Sequence, residues 1–112
     1  PTRLLSVNGS LLPLAGPVTS PDATIELQFD GPLDPASLNP ESTPLLRVAQ
    51  GLSLEEPILP AVTWQILGQT TTVALTWPRA AGALRLDLRR TQVRDLFGAR
   101  PEPALVLDLS GN

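Results

Sequence analysis

The chain has 112 residues and a net charge of −3, with 13 Pro, no Cys, no His and no Tyr, and all 8 of its basic residues are Arg. That inventory excludes disulfides, thiolate and imidazole metal sites, cysteine nucleophiles and Schiff-base lysines, which leaves Asp, Glu, Ser, Thr and Arg as the available chemistry. The negative balance argues against a nucleic-acid partner, and apolar runs of only a few residues supply neither a membrane span nor a signal-peptide core.

The length fits one domain, 1–112, with a core of its own. A start at Pro1 rather than Met reads as one module of a longer protein. Charge is uneven along the chain. Residues 1–56 hold seven acids against two Arg, a balance of −5, and residues 57–112 hold four acids against six Arg, a balance of +2. Strands from the two halves that pair and neutralise each other explain this most simply; head-to-tail stacking of modules is the alternative.

In chain order, the first strand expected is "RLLSV" (3–7), followed by a turn at Asn8-Gly9, a pair that tolerates positive φ. Pro13 and Pro17 in "LLPLAGP" (11–17) fit an edge or a loop, because Pro cannot donate to a central ladder. After a turn at "SPDA" (20–23), "TIELQF" (24–29) alternates Ile25, Leu27 and Phe29 against Glu26 and Gln28. "LLRVA" (45–49) is a further strand, whereas "GLSLEEPILPA" (51–61) is irregular and Glu55-Glu56 reads as a solvated loop pair. Alternation returns in "VTWQI" (62–66), "TVALTW" (72–77), "LRLDLR" (84–89) and "ALVLDL" (104–109), with loops at "PRAAG" (78–82) and "FGARPEP" (97–103). Period two over five or six residues marks a half-buried strand. About seven such strands separated by Pro and Gly predict an all-β sandwich of two antiparallel sheets.

The segment "FDGPLDPASLNPES" (29–42) carries the densest group of acids, and Asp30 and Asp34 invite a cation. Local backbone physics gives a simpler account. Asp34 accepts backbone N–H bonds as an N-cap, and Pro35 opens a short helical turn near 34–38, where its missing N–H costs nothing. Leu33 and Leu38 then enter the core, and Asn39-Pro40 ends the turn. A calcium loop needs oxygens at alternate positions, but Gly31, Pro32 and Leu33 carry none in their side chains. Asp30, Asp34 and Asp95 are therefore weak metal candidates, calcium is the only ion to consider, and no cofactor is expected.

These motifs, in this order, resemble those of the SbsA-type bacterial immunoglobulin-like domain of surface-layer and other exported proteins. The family pattern opens with a strand beginning at Pro ("PTRLLSV"). It continues through a strand ending in Phe and a Pro–Leu–Asp–Pro–Ala–Ser segment ("DATIELQFDGPLDPASL") to a Thr-rich strand ("TTTVALTWP"). It closes on an Asp–x–x–Gly–Asn turn, here Asp95-Leu96-Phe97-Gly98-Ala99. Ala99 departs from the pattern, as does the missing Tyr of the later strand, so no tyrosine corner is available. The resemblance implies an immunoglobulin-like sandwich across the whole chain and an extracellular or cell-surface setting; it does not imply a ligand.

Several residues then have structural expectations. Phe29, Trp64 and Trp77 share strand faces with aliphatic residues and are expected in the core, Trp77 less firmly because Pro78 ends its strand. An exposed Trp would instead favour carbohydrate stacking. Asp95 should fix its turn through backbone N–H bonds, Phe97 should plug the end of the sandwich, and Gly98 should take a conformation that other residues avoid. Arg85, Arg89, Arg90 and Arg94 form an Arg-rich outer strand and loop that discourages edge aggregation or meets an acidic neighbour. The expected function is a non-catalytic spacer or packing unit whose partners are neighbouring domains or subunits. The alternatives are an adhesin or carbohydrate- or protein-recognition module using its end loops, and a component of a virion or appendage surface.

Overall fold

The computed structural model describes residues 2–12, 18–19, 22–48, 55–78, 84–103 and 105–110. They form ten strands: β1 (Leu4–Val7), β2 (Ser10–Leu11), β3 (Val18–Thr19), β4 (Thr24–Phe29), β5 (Leu45–Val48), β6 (Glu55–Ile58), β7 (Ala61–Leu67), β8 (Thr70–Thr76), β9 (Leu84–Asp87) and β10 (Val106–Ser110). One sheet has the order β2-β1-β4-β8-β7 and the other β3-β10-β9-β5-β6. All pairings are antiparallel except the short β3–β10 contact. The fold is thus an all-β sandwich.

The seven expected strands are present, and β2, β3 and β6 are added to them. β6 replaces the loop expected around Glu55-Glu56, because Glu55 to Ile58 pair with Val48 to Leu45. Only Leu59 and Pro60 separate β6 from β7, so the chain passes directly from the edge of one sheet to the edge of the other. The Pro-rich 13–17 stretch and most of the 78–82 loop lie outside the described residues.

The inward faces follow the alternation. Ile25, Leu27 and Phe29 of β4 pack with Val73 and Leu75 of β8, Leu84 and Leu86 of β9, and Leu107 and Leu109 of β10 in one buried cluster. β1 departs from simple alternation. Leu4 pairs with Phe29, but Ser6 pairs with Gln28 and Val7 with Leu27, so Leu5 is an extra residue that bulges out. The bulge keeps Leu4 and Val7 both in the core although they are three residues apart. β1 and β2 are joined by Asn8 (φ 51°) and Gly9 (φ 82°), two positive-φ residues that make the type I′ turn matched to strand twist.

Of the two tryptophans expected in the core, Trp77 is there and Trp64 is not. Trp77 is 5% exposed and belongs to the core, and its backbone N–H donates to the Ala23 carbonyl at 3.0 Å. Trp64 is 43% exposed. It faces the same way as its cross-strand partner Val73, but β7 is the outermost strand of its sheet, where the opposing sheet no longer covers the inner face. Sharing a face with aliphatic residues buries a side chain only away from the rim.

The "LRLDLR" strand is also shorter than its alternation. It ends at Asp87 because the Asp87 carboxylate accepts the Arg89 N–H at 3.0 Å and turns the chain. Leu88 remains buried beyond that turn.

Trp77→Ala is expected to cost about 3–5 kcal/mol in urea unfolding, as for other large-to-small changes in a core. Trp64→Ala should cost about 1 kcal/mol or less in dilute solution, because its surroundings are partly water. The opposite ranking would contradict the packing described.

Candidate functional site

Every acid singled out from the sequence as a metal candidate lies at one end of the sandwich, where the crossover 30–43 meets the segment 88–103. Leu33 forms an isolated antiparallel bridge with Asp95, so the two segments are stitched together. The Asp34 N–H donates to the Arg94 carbonyl at 2.9 Å, and the Gln92 N–H donates to the Ser42 carbonyl at 2.8 Å. Ser37 adds a side-chain link: its hydroxyl donates to the Asp34 carbonyl at 2.8 Å and accepts the Arg94 N–H at 3.0 Å.

The crossover itself is two 3₁₀ turns, Pro35–Ser37 and Pro40–Ser42. Asp34 caps the first as expected, accepting the Ala36 N–H at 3.0 Å, with Pro35 in the first turn. Asn39-Pro40 does more than stop that turn. Asn39 caps a second one through the Ser42 N–H at 2.9 Å, while its side-chain amide donates back to the Ala36 carbonyl at 3.0 Å. Pro40 therefore closes one turn and opens the next, both roles suiting a residue without an N–H.

Each of the three candidate carboxylates, Asp30, Asp34 and Asp95, has a backbone partner. Asp30 accepts the Arg3 N–H at 2.6 Å and donates its own N–H to the Arg3 carbonyl at 2.9 Å, clamping the start of β1. One Asp95 oxygen accepts the N–H groups of both Phe97 and Ala99, at 2.8 and 2.9 Å. The Gly98 N–H closes on the Asp95 carbonyl at 3.0 Å, with Gly98 at φ 84°. The three acids serve three separate backbone sites. Among the described residues no three acidic side chains gather as a cation site would need.

Phe97 is placed differently from expectation. It is 94% exposed, and Leu96 beside it is 59% exposed. Asp95 binds the backbone on both sides of Phe97, so the turn is compact and lifts the ring away from the protein. The end of the core is closed instead by Leu33, Leu38, Leu88 and Val93. Between the sheets at this end is a cavity of about 20 Å³ lined by Leu27, Phe29, Leu38, Leu86 and Val93 among others, which is room for a single water rather than a ligand.

Several arginines are engaged within the fold. Arg89 forms a two-point pair with Asp87, at 2.9 Å through each carboxylate oxygen. Arg85 meets its cross-strand partner Asp108 at 3.1 Å, and Arg94 donates to the Val93 carbonyl at 2.8 Å. The Arg100 guanidinium donates to the Arg89 carbonyl.

Two contributors to this end escaped the sequence reading. Thr71 has no exposed surface, and its hydroxyl donates to the Gly31 carbonyl at 2.8 Å while accepting the Leu33 N–H at 3.1 Å. The signal was present: the inward row of β8 reads Thr71, Val73, Leu75, and a hydroxyl on an apolar row must find a partner. Ser37 is the other, since a Ser within a capped turn readily bonds a neighbouring segment.

Two acids titrate below the ordinary carboxylate value of 3.8: Asp95, chiefly through the Ala99 N–H and then the Phe97 N–H, and Asp87, chiefly through the Arg89 side chain. A folded-state pKa below the unfolded one adds stability that is fully present above the unfolded value and lost as pH falls through the folded value. Urea unfolding should therefore be flat from neutrality to about pH 5 and lose stability below about pH 4. Asp95→Asn should lower stability at pH 7 and flatten part of the acid loss; equal acid slopes in the two proteins would contradict this role for Asp95.

Neither a family of known proteins nor any curated protein matches the chain by sequence. Among solved structures, it is similar to the N-terminal part of the bacterial S-layer protein SbsC, with a TM-score of 0.54 and 17% sequence identity. The match covers 97% of this chain and 23% of that one, so this chain spans about a quarter of that structure's length. At this identity the likeness is one of fold: the sandwich resembles a segment of a surface-layer protein.

Proposed function

We propose that this chain is a non-catalytic structural module of an exported or cell-surface bacterial protein, an immunoglobulin-like spacer or packing unit of the SbsA type. The observation that carries this reading is the fold likeness to part of a surface-layer protein over 97% of the chain. The chemistry of the end loops supports it. Asp30, Asp34 and Asp95 each hold backbone N–H groups, which is the work of shaping a crossover rather than of binding a substrate. The partners of such a module are neighbouring domains or subunits of the same assembly.

A second reading, recognition of a protein or carbohydrate ligand, draws on the exposed Phe97 and Trp64. Aromatic side chains on rigid supports are effective anchors because little conformational freedom is lost on contact.

Surface labelling of intact cells that produce the parent polypeptide, followed by fractionation, tests the first reading. A surface module is labelled by a membrane-impermeant reagent and recovered with the envelope or the medium. Recovery of an unlabelled protein in the cytoplasm would overturn it.

A further inference from the structure

The two sheets have four edges, and among the described residues three of them are blunted. β2 and β3 are two residues long, and β6 has four residues including Pro57. Short edges and Pro are the usual devices against unwanted strand pairing. β7 has none of these. It runs seven residues, Ala61–Leu67, outside β8, and no charged residue occurs between Pro57 and Pro78.

The direction of its free backbone groups follows from the hairpin. Leu67 and Thr70 pair across the two-residue turn Gly68-Gln69, with Gly68 at φ 61°. Residues flanking such a turn exchange both hydrogen bonds with each other. Alternation then directs the N–H and C=O groups of Ala61, Thr63, Gln65 and Leu67 toward β8. Those of Val62, Trp64 and Ile66 point out from the sheet.

We infer that β7 is a self-pairing edge, and that its partner is β7 of a second copy of this chain, antiparallel about a twofold axis through Trp64. The sequence is self-complementary in that register. Val62 meets Ile66, Trp64 meets Trp64, and Thr63 meets Gln65, so β-branched, aromatic and polar residues each face their like. The three outward residues on each strand exchange about six backbone hydrogen bonds, and no charge opposes its copy. The half-exposed Trp64 rings come together on the uncovered rim of the inner face. A strand-edge contact of this length covers on the order of half of the roughly 800 Å² per partner of a standard interface, so it is weak in isolation and effective when repeated. This inference rests on the reading of the chain as an assembly module and names the partner of that assembly.

Sedimentation equilibrium of the full chain from about 10 µM to about 2 mM tests it, since a contact of this size gives dissociation constants between micromolar and millimolar. A reversible monomer–dimer equilibrium is expected. Val62→Pro removes an N–H that points away from β8, so it should raise the dissociation constant about tenfold or more. Because the half-buried Val62 packs against the core, its dilute melting temperature is measured alongside and should fall only modestly, with the strand fold retained. Trp64→Lys and Trp64→Glu should each remain monomeric, because like charges oppose across the axis, and an equimolar mixture of the two should dimerise again. Circular dichroism of the two Trp64 variants checks that they are folded. A wild type that stays monomeric to the top of the range overturns the inference and assigns the edge to another occupant. A dimer unmoved by all three substitutions, or a mixture no better associated than its components, also overturns it. None of these results bears on where the parent protein resides, so surface location and self-pairing fail independently.

Discussion

Thr71 lies fully buried on the inner face of β8, with its hydroxyl committed on both sides, donating to the Gly31 carbonyl and accepting the Leu33 N–H. The constraint is severe. The crossover leaves β4 at Phe29 and must run beneath the end of the core, where its backbone groups lose water and need partners. One hydroxyl meets two of those needs and fixes Leu33 in the core. Leu33 in turn bridges Asp95, and through that bridge the first sheet is joined to the segment that follows β9 in the second. The capped turns, the Ser37 link and the Asp95 turn all extend from this point.

The clustered acids take on a different meaning in that frame. Asp30 clamps β1, Asp34 starts a turn and Asp95 folds a tight loop, each by accepting backbone N–H groups; the first two bonds lie at the surface and the Asp95 bonds are partly buried. A carboxylate used in this way is a fastener. The lowered pKa of Asp95 reports the same fact electrostatically, since its charged form is the one the backbone holds. A sandwich end fastened by such bonds resists fraying there. Among the described residues, β7 is the long edge without charge or Pro, and it departs from the defensive pattern of the other edges.

Much of the fold was legible because its signals are local. Alternation located β4 to the residue, and the DPAS sequence announced a capped turn because capping depends on neighbours only. The misplacements came where the answer depended on distant parts. Trp64 and Trp77 both continue an inward-facing row of their strand patterns, yet Trp64 lies on a rim strand and is exposed while Trp77, just past the end of the central β8, is buried. Alternation states a face, not how far the opposing sheet reaches. Leu5 bulges because β4 sets the register of β1, and nothing in "RLLSV" itself marks it. Phe97 was expected inward because aromatics usually pack. The Asp95 bonds on either side of it decide its direction, and they were foreseen without that consequence being drawn. Thr71 was overlooked within a run of three Thr whose outer members face away from the core.

The central claim, that the buried Thr71 hydroxyl anchors the crossover on which both sheets depend, is tested most directly by comparing Thr71→Val with Thr71→Ser in urea unfolding at neutral pH. Val preserves shape and removes the hydroxyl, which strands a buried N–H and a buried C=O; Ser preserves the hydroxyl and removes a methyl group. Unsatisfied buried groups cost about 1–3 kcal/mol each and a lost methyl about 1 kcal/mol. The account predicts that Val destabilises by about 2 kcal/mol or more and Ser by distinctly less. Stability of the Val protein equal to or above that of the Ser protein would contradict it.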